Sequence, residues 1–119
     1  MNLSTLETAY ALETGHFDLP GTEYTDSQSY YDSETMTVCI YEEGEEFLEF
    51  VWLHEAYHHY QYTILGTEEF DADNYNLGPD SHYYLPTERA ANLFAYRVCT
   101  KNGWPIPDWF PTGYFLKAG

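Results

Sequence analysis

The chain has 119 residues, with 20 Asp plus Glu against 4 Lys plus Arg and a formal net charge of -16. That length favours a single domain over residues 1–119, and 44% hydrophobic residues with 13 tyrosines are not the composition of a disordered chain. The negative charge repels nucleic acid and anionic membranes, so neither is expected as a partner.

No apolar run approaches the ~20 residues that span a bilayer. The first ten residues, MNLSTLETAY, have neither the cationic nor the apolar stretch of a signal peptide. A cytoplasmic location is the expectation. The acids are dispersed rather than blocked, and lysine occurs only at Lys101 and Lys117. This pattern favours a salt-adapted, halophilic surface, because the Debye length falls to about 3 Å at 1 M salt. Mimicry of nucleic acid, or a partner with basic segments, fits the same charge. Cys39 and Cys99 lie far apart without secretory signals and read as buried free thiols.

In chain order, "STLE" at 4–7 reads as a capping box, with Ser4 the cap and Glu7 three residues on. Leu3, Leu6 and Tyr10 then share a face of a helix over 4–14 that stops at Gly15. Residues 19–34 are turn-rich, with room for an irregular edge strand. "TMTVCIY" at 35–41 alternates Met36, Val38 and Ile40 and predicts a strand. Acids at 42–46 gather before a helix, where the dipole favours them. From Glu45 to Leu65, Phe47, Phe50, Val51, His54, His58, Gln61 and Leu65 follow helical spacing, and Gly66 offers a stop. Residues 67–85 read as a loop. Residues 86–103 read as a second helix, with Pro86 and Thr87 at its start, Lys101 in its last turn and Gly103 at its end. The proline-rich tail from Trp104 is expected to run extended over the surface. The order of elements predicts a small α+β fold.

The chemistry lies in the long helix. His54-Glu55-Ala56-Tyr57-His58 matches H-E-x-x-H. Residues four apart share a helix face, so both imidazoles can point at one ion. Glu55, about 100° round the helix from His54, is placed to act as general base on a water rather than as a ligand. Zn2+ suits a site of two histidines and a carboxylate with an open fourth position. Glu88, thirty positions after His58 at the opening of the second helix, supplies the third donor. Asn92 lies one turn further on the same face and is expected to accept the Nδ1–H of a ligating histidine. Ala91 and Ala95 are small enough to let the two helices approach closely.

"HEAYHH" followed by "ERAANLFA" resembles the gluzincin zinc metallopeptidases, and among them the minimal members called minigluzincins. "ERAANLFAYRV" is also similar to the matching helix of small repressor-cleaving metallopeptidases. The resemblance covers residues 35–100 and hardly touches the ends. It implies a minimal zincin in which a strand region packs on the H-E-x-x-H helix and a glutamate helix. It further implies His54, His58 and Glu88 as zinc ligands, Glu55 as catalytic base, and a peptide or protein substrate. Larger gluzincins carry Glu-x-x-x-Asp where this chain has Asn92, which lacks the negative charge. The metzincin pattern fails, because Gln61 and Ile64 stand where Gly and His are required.

A peptidase also needs a group to stabilise the oxyanion. His82, Tyr83, Tyr84 and His59 are the candidates, and Tyr84 is the expected catalytic residue among them. Otherwise His59 reads as a surface histidine, His16 as a turn residue, and Arg97 as half of a structural ion pair. The tail over 104–119 is a candidate to lie in the cleft and keep the enzyme latent. Two rival readings stand beside the peptidase: a catalytically inactive zinc-binding protein, and an acidic interaction protein such as a nucleic-acid mimic.

Overall fold

The structure is a computed structural model that describes residues 1–65 and 86–107. Helix α1 spans Leu3–Thr14 and buries Leu6, Tyr10 and Ala11. Its cap is Asn2, whose side-chain oxygen accepts the Thr5 N–H at 3.1 Å, rather than Ser4 as the capping box implied. Both residue types cap well, and the cap simply lies two residues earlier than the Ser4–Glu7 pattern suggests. Gly15 closes the helix in the left-handed conformation (φ 73°), its N–H donating to the Ala11 carbonyl at 2.9 Å.

Three short strands follow: β1 (Gly21–Tyr24), β2 (Tyr30–Asp32) and β3 (Thr37–Ile40). Their order is β1-β3-β2, with β1 parallel and β2 antiparallel to the central β3. Every residue of β3 is buried, as a central strand covered on both faces requires. Met36 does not join the alternation expected of it. It stands exposed just before the strand with φ 52°, in the turn that leads into β3. After β3 the chain folds back on itself, and the Gly44 N–H donates to the Tyr41 carbonyl at 3.1 Å. The Tyr41 ring occupies the space that a Cβ at position 44 would need, so any other residue there would force the ring to move.

Helix α2 (Leu48–Leu65) starts three residues later than the acid-rich run beginning at Glu45 suggested. Phe47 stays outside the helix, and its carbonyl accepts the Val51 N–H at 3.0 Å. One side of α2 meets the sheet, where the Trp52 indole donates to Thr22 Oγ1 on β1 at 3.0 Å. Another side meets α3 (Pro86–Asn102), where Tyr57 stacks on Phe94 with centroids 4.6 Å apart and planes at 26°. Tyr10 of α1 lies edge-on to both Trp52 and Phe94, which makes it the keystone of an aromatic core.

Ala91 and Ala95 are fully buried, so α3 does present a small-residue face along the side that carries Glu88 and Asn92. Its C-terminus is closed by Gly103 at φ 72° and by the Trp104 N–H, which donates to the Cys99 carbonyl at 2.9 Å. Lys101 reaches Glu13 of α1 at 2.8 Å, an exposed pair of small energetic weight. Cys39 and Cys99 are both buried free thiols. The result is a mixed α+β fold in which α2 is the central element. Among the described residues, no helix is long and apolar enough to cross a membrane.

Candidate metal centre

The site forms where the N-terminal turn of α3 meets the middle of α2. His54 and His58 are one helical turn apart, and their rings stand nearly perpendicular with centroids 4.9 Å apart. Glu88 arrives from α3 and places one carboxylate oxygen at each ring. Oε1 lies 3.3 Å from His54 Nε2, and Oε2 lies 2.8 Å from His58 Nε2. Among the described residues these three form a group able to hold a metal ion, with all ligand atoms within 4.8 Å of one another.

The donor set fits zinc in kind. Ligands at ordinary Zn–N and Zn–O lengths on a tetrahedron stand about 3.3 Å apart, which the His54–Glu88 separation matches, while the 2.8 Å His58–Glu88 contact has a hydrogen-bond length and would open to admit an ion. The hydrogen-bonding pattern is compatible with a cation here. His58 meets an acceptor at each nitrogen: the Glu88 carboxylate at Nε2, and Gln61 Oε1 at Nδ1, 2.7 Å away. A neutral imidazole has one N–H and cannot serve both acceptors, so either a second proton on the ring or a metal cation stands between Nε2 and the carboxylate.

Charge and burial set the protonation of the cluster. Burial pushes the His54 imidazole down, but Glu55, then Glu88 and Asn92, outweigh it and raise the group to about 9. Burial pushes Glu88 up, yet hydrogen bonds from His54 and His58 and their charges hold its carboxyl far below the usual range. Glu88 is therefore ionised at any working pH, as a ligand must be. Glu55 points its carboxylate to within 4.0 Å of His54 Nε2 without touching the ring. Burial raises Glu55, the two histidines lower it, and Glu88 and Glu45 raise it again, leaving it above an ordinary glutamate. A carboxylate shifted in that direction suits a group that must both accept and return a proton.

Two sequence expectations need correction. Asn92 is buried beside His54 and interacts with it through its side chain, favouring the charged imidazole, but it makes no hydrogen bond of ordinary geometry to His54 Nδ1. The residue that does bond a ligand's Nδ1 is Gln61, one turn along α2 from His58. Its spacing of three from His58 was the available signal, although periodicity alone marks it only as a core-facing position.

His59 is not a surface histidine. It is buried, with Nε2 donating to the Asp18 carbonyl at 2.9 Å and Nδ1 accepting from the Tyr31 hydroxyl at 2.8 Å. Both partners come from distant sequence, and they make His59 a structural tie between α2, β2 and the segment before β1. Arg97 is exposed. Tyr84, with His82 and Tyr83, lies outside the described residues, as does the tail beyond residue 107.

Comparison with protein-family models, curated proteins and solved structures found no match for the chain.

Proposed function

We propose that the protein is a zinc-dependent peptidase of minimal size, built on the gluzincin plan that its two helix motifs resemble. The observation that carries this reading is the convergence of His54, His58 and Glu88 from two helices, with the Glu55 carboxylate 4.0 Å from one of the ligand nitrogens. Zinc held there would supply a Lewis acid for a scissile carbonyl and lower the pKa of a water towards ~7.

The chain's own groups divide the remaining work. His54 and His58 offer Nε2 lone pairs in their neutral forms, His54 after giving up its proton, and Glu88 adds a full negative charge. Glu55 takes a proton from the attacking water and returns it to the departing amine, which leaves the carboxylate as it began. Tyr84 is the proposed donor to the carbonyl oxygen. Peptides or proteins are the proposed substrates, and the cytoplasm of a cell with high internal salt is the proposed setting.

Replacing Glu55 by Gln tests the reading. The variant keeps the three ligands, so it should bind zinc like the wild type. Cleavage of a quenched peptide library should fall by roughly 10²–10⁴-fold, the usual contribution of a general base. A zinc-loaded wild type no more active than Glu55→Gln would instead mark an inactive zinc-binding protein.

A further inference from the structure

We propose that Gln61 is a positioning residue for this centre: its side-chain oxygen holds the Nδ1–H of His58 and so commits Nε2 of that ring to the ion. The inference rests on the metal-site reading above. Gln61 and His58 are both buried, at 3% and 5% exposure, and their contact of 2.7 Å is short for an N–H···O bond. A ligating imidazole works only if the nitrogen facing the metal carries no proton, and the partner of the other nitrogen decides this. The spacing of three on one helix face lets the turn itself deliver the amide to the ring.

The two histidines are therefore not equivalent. His58 is anchored at both nitrogens, whereas His54 Nδ1 is buried without a hydrogen-bond partner. His58 is the oriented ligand against which the other two are set. Removing the amide acceptor frees the ring to place its proton on Nε2 or to turn away from Glu88, and either change weakens the metal.

The test compares Gln61→Met, which keeps length and burial but has no amide acceptor, with Gln61→Glu, which keeps an oxygen at the same reach. Zinc affinity is read by competition with a chromophoric chelator at one fixed pH. Gln61→Met should bind zinc about 10–100-fold more weakly than wild type, and Gln61→Glu should stay close to wild type. A role in packing alone would leave the Met variant with full zinc affinity, and that result overturns the proposal.

Ring ¹⁵N resonances of the zinc-loaded wild type give a second readout that does not depend on any variant folding. The proposal requires His58 protonated at Nδ1 and bound through Nε2, and binding through Nδ1 overturns it. Glu88→Ala serves as the control. If that variant keeps zinc, the metal-site reading itself fails. If it loses zinc while Gln61→Met does not, only the role of Gln61 is lost.

Discussion

Raising the pH should destabilise the metal-free protein and strengthen its response to zinc, because both effects pass through His54. The imidazole is raised from 6.5 to about 9 in the folded state, by Glu55 and Glu88 against the opposing effect of burial. A raised group contributes its full stabilisation below its unfolded value and loses it as pH climbs through its folded value. The relevant window therefore runs from 6.5 towards 9.

At about 1.4 kcal/mol for each unit of pH, the loss between pH 6.5 and 8.5 is roughly 2–3 kcal/mol. For a domain of this size that lowers Tm by roughly 10 °C. Glu55, also raised, has the same sign, with its loss setting in as pH climbs above 4.5. The opposing groups act elsewhere: His59, lowered by burial, and Glu88, held low by the histidines, lose their contributions only as pH falls. Cys99, pushed up to about 12 by burial, enters only above the window.

Zinc reverses the sign, since it binds the neutral imidazole and the proton it must displace is released more easily as pH rises. Thermal melts from pH 6.5 to 8.5 should fall with pH in chelator and hold level or rise with zinc. Salt at 1 M in both series screens the surface charge. A Tm in chelator that is flat or rises across this window would refute the account of the cluster.

Other outcomes follow from the fold and the charge. Gly44→Ala sets a Cβ against the Tyr41 ring, so chemical denaturation should show a loss of roughly 1–3 kcal/mol, whereas an unchanged midpoint would mean that the turn does not need glycine. With a net charge of -16, Tm should rise from 0.1 to 1 M KCl as the Debye length shrinks from about 10 to about 3 Å. A fall over that range would count against a salt-adapted surface.

What the sequence made legible was what depends on local spacing. His54, His58 and Glu88 could be named because four residues make one helical turn and because Glu88 sits just inside a marked helix start. The boundaries of α3 and the stop at Gly15 were legible for the same reason. Contacts made over long separations were not legible. β1 and β2 occupy the segment that suggested one irregular edge strand, because strands of four and three residues are defined by pairing with β3 rather than by their own alternation. His59 looked like a surface residue until Tyr31 and Asp18, 28 and 41 positions away, closed over it. Met36 fits an alternating strand by type, and only its backbone conformation places it in a turn. Asn92 is suggested by its place one turn after Glu88, whereas Gln61 sits on the turn that carries His58 itself, where periodicity marks it only as a core-facing position.

The central claim is that two helices build one metal centre from His54, His58 and Glu88. Elemental analysis of the purified protein beside Glu88→Ala, both supplied with zinc at neutral pH, tests it most directly. The account predicts about one zinc per chain in the wild type and its loss in the variant. Absence of metal from both, with both still folded, would contradict it and leave the acidic surface as the feature to explain.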